Sequence, residues 1–398
     1  MTDAAQPLVV VTDWGARGAA LLAILLAAVA AAALLYRRAI MRSPPPRIAV
    51  TIAGAAAGLL LAAFSPVIFS SDVYAYAAYG DLARLGADPY ARTALSLDAP
   101  LVRAAAWQWG GALPICVYGP AFVELAKTIV SILAPLGVPA QLNGFRLVAA
   151  AAFLLCGPLA LAAYRGSVEV RLRAAAALLL NPAAIWCAAE GHNDALALAV
   201  VLSGFALVRR HWAGVGAAVA ALAALVKLPG MAAAAALAVV DRRARLGAAI
   251  GAAVVAALSI PLVTGVATQL APHGRYAPQA SLQALFAPLS PALAVAAAVA
   301  VAIVLAVAGL RRLKNRAVEG WIWLGIGAWV LVPNPYPWYG LWLVAIAATA
   351  PQSRAGRAAV LLSLTALLRY APDAIATPSP ALQAALGLLA TLPLAALL

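Results

Sequence analysis

Within twelve residues the chain offers a hydroxyl cap, a carboxylate and several phenols: Ser70-Ser71-Asp72-Val73-Tyr74-Ala75-Tyr76-Ala77-Ala78-Tyr79-Gly80-Asp81. The spacing predicts a helix capped by Ser70 or Ser71, with Asp72 in its first turn. Asp72, Tyr76 and Tyr79 then stand at i, i+4 and i+7, on one face. The positive end of the helix favours an ionised Asp72. An ionised carboxylate held there can take a proton from a hydroxyl nucleophile, which makes Asp72 a candidate general base. The plainer alternative is a capping aspartate with tyrosines that belong to an interfacial aromatic belt.

Four further groupings carry polar chemistry in otherwise apolar surroundings. Glu190-Gly191-His192-Asn193-Asp194 puts four polar side chains into five residues. They could bind sugar hydroxyls, orient a base or ligate a metal, although one histidine with two carboxylates is not a recognised metal spacing. A capped turn with Asn193 or Asp194 as the N-cap is the alternative. Lys227, one of three lysines in the chain, stands between two short apolar runs. A lone cation at that depth needs an anion, and a phosphate is one candidate; a lysine snorkelling to the interface is the other. Pro272-His273-Gly274-Arg275-Tyr276 supplies an arginine that could grip a phosphate through paired hydrogen bonds. In Asn334-Pro335-Tyr336-Pro337-Trp338-Tyr339 the prolines break a helix and are expected to expose an aromatic cluster on which sugars or isoprenoid chains could pack.

The elements that must hold these groups follow from composition. Of 398 residues 66% are hydrophobic and 10% charged, against roughly 25% charged in soluble domains. Apolar runs near 20 residues recur, each long enough to cross a hydrocarbon core about 30 Å thick. They are continuous rather than alternating, which argues against a transmembrane β-barrel. The expectation is an all-α, polytopic helical membrane protein with no soluble domain and no internal repeat. The net charge of +14 does not mark a nucleic-acid binder, because the arginines sit in short clusters between apolar runs: 37–47, 165–173, 209–210, 242–245, 311–316 and 354–357. Placing all six clusters on the cytoplasmic side predicts about thirteen crossings. Residues 117–134 break that pattern and are read as a re-entrant or interfacial helix on the outer face. The first large outer loop is then 69–142 and the second 264–289, within one membrane domain covering 1–398. Asp3 and Asp13 precede the first apolar run, so no signal peptide is expected. Cys116, Cys156 and Cys187 imply neither a disulfide framework nor a zinc site.

Taken in order, several of these motifs resemble a known family. Asp72-Val73-Tyr74-Ala75-Tyr76, Gly80, Asp88-Pro89-Tyr90, Val117-Tyr118-Gly119-Pro120 and Gly191-His192-Asn193-Asp194-Ala195-Leu196 are similar to landmarks of the polyprenol-phosphate-mannose-dependent mannosyltransferases of actinobacterial cell envelopes, of the alpha-1,6 type. Lys227-Leu228-Pro229, Gly274-Arg275-Tyr276 and Pro337-Trp338-Tyr339 resemble later ones. The likeness runs from about residue 70 to 345. It departs from the family where Glu190 replaces a glycine common there, and in the loop holding Trp107 and Trp109. The resemblance implies the GT-C membrane glycosyltransferase architecture and Asp72 as catalytic base. It also implies a polyprenyl-phosphate sugar donor, most often mannose, and inversion at the anomeric carbon.

The expected reaction is hexosyl transfer to an envelope glycan or glycolipid on the extracytoplasmic side of a bacterial plasma membrane. The expected substrate contacts are Tyr76, Tyr79, Tyr118, Glu190, His192, Asn193, Asp194, Lys227, Arg275, Tyr276, Trp338 and Tyr339. Lys227 and Arg275 are the candidates for stabilising the departing phosphate. No phosphate-cradling glycine loop is present, which argues against a nucleotide-sugar donor. The residues require no cofactor and leave the need for a divalent metal open. The expected partners are the lipid donor, the acceptor and membrane lipids. A transporter or flippase of lipid-linked sugars would also need outer polar groups and a buried lysine. Transporters, however, usually carry repeats and midplane ionisable residues.

Overall fold

A computed structural model of the chain describes residues 16–63, 70, 72–91, 101–103, 105, 113–269, 278–315, 317–369 and 379–397. Among these residues every long regular element is helical. In chain order the first helices are α1 (Ala16–Met41), α2 (Ile48–Ala63), α3 (Asp72–Arg84), α4 (Pro120–Leu133), α5 (Val138–Ala163), α6 (Val168–Leu179), α7 (Pro182–Ala189), α8 (Asp194–Arg209) and α9 (Ala213–Leu222). They are followed by α10 (Pro229–Val240), α11 (Arg245–Leu258), α12 (Ile260–Gln269), α13 (Leu282–Phe286), α14 (Pro291–Lys314), α15 (Glu319–Val330), α16 (Pro337–Ala347), α17 (Arg354–Thr365) and α18 (Pro380–Thr391).

Breaks fall where the sequence supplies a reason. Pro182 cannot donate to the preceding turn, and Asn181 just before it turns its side chain to the new helix, its Oδ1 accepting from Ala184 N–H at 3.0 Å. The apolar run there becomes two helices, α6 and α7, bent by 54°. Pro229 opens α10 in the same way after the Lys227-Leu228 turn. Pro120 opens α4.

Among the described residues four helical stretches are long and apolar enough to cross a membrane: Leu22–Met41, Val138–Ala163, Pro291–Lys314 and Pro380–Leu397. The bent α6–α7 pair makes a fifth if it counts as one span, and Ile48–Ala63, Ala213–Leu225, Pro229–Val240 and Pro337–Ala347 are shorter apolar helices. Helix α4, short like these last, buries one side. Its 14 residues reach about 21 Å, short of a hydrocarbon core. Its buried residues Phe122, Val123, Ala126, Ile129 and Val130 lie along one face, which packs against α3 and α5.

The chain divides into two compact units, one of residues 59–164 and 188–274, the other of 1–58, 165–187 and 275–398. In the first, α5, α8, α9 and α11 pack side by side. Between apolar helices in lipid, close backbone approach rather than apolar burial supplies the attraction. Gly204 and Gly216 provide it, since a Cβ on either would collide with the backbone carbonyl of the other. In the second unit α14 pairs with α15 and α16 with α17. There Asn181 Nδ2 donates to Ser363 Oγ at 2.9 Å, and Arg173 donates to the Ile40 carbonyl at 2.8 Å near the end of α1.

Candidate active site

The polar residues of 72–118, 190–194 and 227 converge inside the 59–164 and 188–274 unit. Ser70 Oγ accepts from Asp72 N–H at 3.2 Å and starts α3 there. Asp72 is 7% exposed. One turn on, Tyr76 donates to Asp72 Oδ2 at 3.5 Å. Tyr79 does not share that role. At i+7 it stands about 10.5 Å along the axis from Asp72, and its hydroxyl donates instead to the Pro114 carbonyl at 2.8 Å.

That bond helps to hold an irregular strap, residues 113–119, over α3. The strap is also tied by Cys116 N–H to the Pro89 carbonyl at 3.1 Å and by Tyr90 Oη to the Tyr118 carbonyl at 2.9 Å. At its far end Gly119 N–H donates to the Val226 carbonyl at 3.2 Å. No residue larger than glycine fits at 119, because an added Cβ would overlap the Leu225 backbone. The strap thereby delivers Tyr118, whose hydroxyl donates to Asp72 Oδ2 at 3.2 Å. The Tyr76 and Tyr118 rings meet edge to face at 4.8 Å, and Phe122 packs on Tyr76 at the same separation.

The Glu190–Asp194 turn closes the opposite side. Gly191 has φ +91°, a left-handed conformation that suits glycine. It passes close to α5 and Val73: a Cβ there would lie 3.3 Å from Arg146 N and from Val73 Cγ2. The turn brings His192 Nδ1 to 3.7 Å from Asp72 Oδ2. Asn193 occupies the N-cap position of α8 but its side chain makes no capping bond. Its Oδ1 accepts from Tyr76 Oη at 3.5 Å, and its buried Nδ2 has no hydrogen-bond partner. An N-cap residue that turns its amide away from its own helix, leaving a donor unsatisfied beside a carboxylate, is more than a helix stop.

Lys227 has an internal anion. Lys227 Nζ lies 2.5 Å from Asp194 Oδ2, with Asp194 fully buried. Lys227 also sits 5.9 Å from the centroid of the Tyr118 ring.

Burial dominates the electrostatics. It pushes the Asp72 carboxyl above the ordinary carboxylate range, against the lowering effects of Lys227 and of the Tyr118 hydrogen bond. The helix N-terminus therefore does not have the last word on Asp72, as its sequence position suggests. The site is dry, and desolvation penalises the charge. Burial, helped by Lys227, holds His192 well below the ordinary histidine value, so the ring is neutral at neutral pH. Burial first, then the Asp72 charge, raises Tyr118 and Tyr76 well above their ordinary range. Both phenols stay protonated and serve as donors.

Of the residues singled out from sequence, Asp72, Tyr76, Tyr118, His192, Asn193, Asp194 and Lys227 gather in this cluster. Glu190 is buried, and its charge acts on Arg146. Arg275 and Tyr276 lie outside the described residues. Trp338 and Tyr339 belong to the other unit. The exposed aromatic cluster expected there is not found. Trp338 is buried, stacked on Tyr336 at 4.3 Å, while Arg369 covers the Tyr336 ring at 4.7 Å and donates to its hydroxyl. The rings are satisfied by one another and by a guanidinium.

Arg146, on α5, was not singled out. The signal was available: a lone arginine within a long apolar helix is costly and calls for a reason. Among the described residues no group of three or more His, Cys, Asp or Glu is placed to hold a metal ion.

A chain with four or five helices of membrane length among its described residues is a helical membrane protein. Residues 4–243 match the family described as alpha-(1->6)-mannopyranosyltransferase, N-terminal domain; the chain belongs to that family and is a mannosyltransferase. No curated protein and no solved structure gives a significant match.

Proposed function

We propose that the protein is an inverting, polyprenyl-phosphate-sugar-dependent mannosyltransferase with Asp72 as its general base. The observation that carries this reading is the Asp72 carboxylate itself. It is buried and met by Tyr76 and Tyr118, with the unsatisfied Asn193 amide beside it. In a mannosyltransferase such a group has an evident use. An acceptor hydroxyl attacks the anomeric carbon as Asp72 removes its proton. The bond from that carbon to the phosphate oxygen breaks, and the electron pair leaves with polyprenyl phosphate. A carboxylate raised by burial is a stronger base than one in water, which suits it to a hydroxyl proton. The anomeric centre acquires oxocarbenium character, as in other glycosyl transfers. Inversion follows from one displacement and needs one base.

The Asn193 amide is the candidate donor to a sugar hydroxyl or phosphate oxygen. Lys227, shared with Asp194, and Arg275 are the candidates for the leaving phosphate. Isoprenoid and acceptor sites, an extracytoplasmic orientation in a bacterial plasma membrane, about thirteen crossings and a GT-C architecture belong to the same proposal. The short amphipathic α4 and the bent α6–α7 pair suit a chain in which some apolar segments do not simply cross.

The test is transfer from radiolabelled polyprenyl-phosphate mannose to a short α-mannoside acceptor by the purified full chain. Wild type should transfer, while Asp72→Asn should bind donor and not transfer. Undiminished turnover by Asp72→Asn would remove Asp72 as the base.

A further inference from the structure

We infer that Arg146 is a positioning residue: it ties the start of the Glu190–Asp194 turn and the C-terminal end of α2 into one frame, an inference that rests on reading Asp72 as the base. The guanidinium spends its donors on backbone at two helix ends. Its Nε donates to the Ala189 carbonyl at 2.7 Å, the last residue of α7 before Glu190. Its Nη2 donates to the carbonyls of Ala62 and Ala63, each at 3.3 Å, where α2 ends ahead of Ser70 and Asp72. Its Nη1 reaches Asn143 Oδ1 at 3.5 Å. Carbonyls of a final helical turn have no partner within their own helix. One planar fork therefore satisfies the ends of two segments, the one leading toward the base and the one leading into His192 and Asn193.

Neighbouring contacts show that the same stretch of α5 backs the site. The Arg146 backbone nitrogen lies against Gly191, and Glu190 lends its charge to the guanidinium. The preceding residue, Phe145, packs 6.0 Å from Tyr76 and 6.4 Å from Phe122. These hydrogen bonds of Arg146 end on backbone carbonyls and on Asn143, not on Asp72. The effect of Arg146 runs through the placement of His192 and Asn193 relative to Asp72.

A lysine keeps the charge but presents a point donor, which cannot serve carbonyls on both segments at once. Arg146→Lys should therefore lower kcat at least about tenfold, because small misplacements of reacting groups are costly, with the KM for radiolabelled polyprenyl-phosphate mannose changed by less than about threefold. Arg146→Met should lose more, by unfolding or in kcat; should it fail to fold, Arg146→Lys alone decides. Wild-type kcat in Arg146→Lys, or a loss confined to KM, overturns the positioning role, as does a kcat loss that merely follows the fraction of protein unfolded. Asp72→Asn assayed alongside separates the two ideas. If it is inactive while Arg146→Lys is normal, only the arginine assignment falls. If it transfers normally, the reading of the base falls.

Discussion

The phenol of Tyr118 donates to Asp72 Oδ2 at 3.2 Å across 46 residues of chain, and Tyr76 reaches the same oxygen from within the helix. One carboxylate oxygen thus carries both phenolic bonds. The geometry arises because the 113–119 strap is bonded to α3, to Pro89 and to Val226, leaving Tyr118 one place to go.

Burial of that carboxylate fixes how its removal acts on stability. A carboxyl raised on folding makes the folded chain hold a proton more readily than the unfolded chain does. The stability it contributes is complete below the unfolded carboxylate value and is lost as pH rises through the raised one. Asparagine imitates the protonated side chain. Asp72→Asn is expected to melt at the same or a higher temperature than wild type at neutral pH while losing transfer. A melting curve beside the transfer assay checks both, and a large drop in melting temperature would contradict the sign argued here.

The pH profile should show two separate effects. Transfer should fall on the acid side at a pH above the ordinary carboxylate range, as Asp72 takes up its proton. Stability should respond to His192. Its folded value lies well below 6.5, so the unfolded chain binds a proton that the folded one refuses, and stability declines as pH drops below about 6.5. His192→Gln should flatten that decline. Denaturation midpoints measured across the acid range read it directly, and an unchanged slope would exclude His192 as the source.

The Lys227–Asp194 pair should be costly to break from one side. Removing one partner of a buried ion pair strands the other and typically costs about 3–5 kcal/mol. Asp194→Asn should approach that loss, at 2.5 Å from the ammonium. The double variant Asp194→Leu, Lys227→Met should recover much of the stability without recovering transfer. Full activity in the double variant would show the pair to be structural and would take Lys227 out of phosphate binding.

Gly119 offers a steric test. Gly119→Ala should push the strap off Val226, because the new methyl meets the Leu225 backbone; overpacking of this kind costs about 1–3 kcal/mol. Transfer should fall with it as Tyr118 leaves Asp72. Gly86→Ala is the control. Its φ of +78° makes alanine strained, by about 1–2 kcal/mol, but nothing lies within 4 Å and transfer should persist. Equal transfer by both variants would separate the strap from catalysis.

Much of the scaffold could be read from composition and periodicity. Helix α3 starts at Asp72 behind Ser70, as capping chemistry dictates, and α8 starts at Asp194. The apolar runs became helices, with breaks at Asn181-Pro182 and Ser259-Ile260 that run length alone did not reveal. The site was legible in its ingredients and less so in its pairings. Helical spacing placed Tyr76 beside Asp72 correctly. It placed Tyr79 there too, where axial distance sends the hydroxyl to Pro114. Lys227 looked like a cation in search of a phosphate because its partner, Asp194, sits 33 residues away and only tertiary packing brings them together. Arg146 stood out as a lone charge in an apolar helix, but most of its partners are backbone carbonyls, which no sequence pattern marks.

The joint between Gly119 and Val226 links two functions that the sequence keeps apart. Tyr118 is one residue from that joint on one side and Lys227 one residue from it on the other. Backbone meets backbone there, with no side chain in between to absorb strain. In the proposed mechanism an anion drawn to the lysine would act one residue from the knuckle that carries the phenol, so charge recognition and proton abstraction would share one mechanical part.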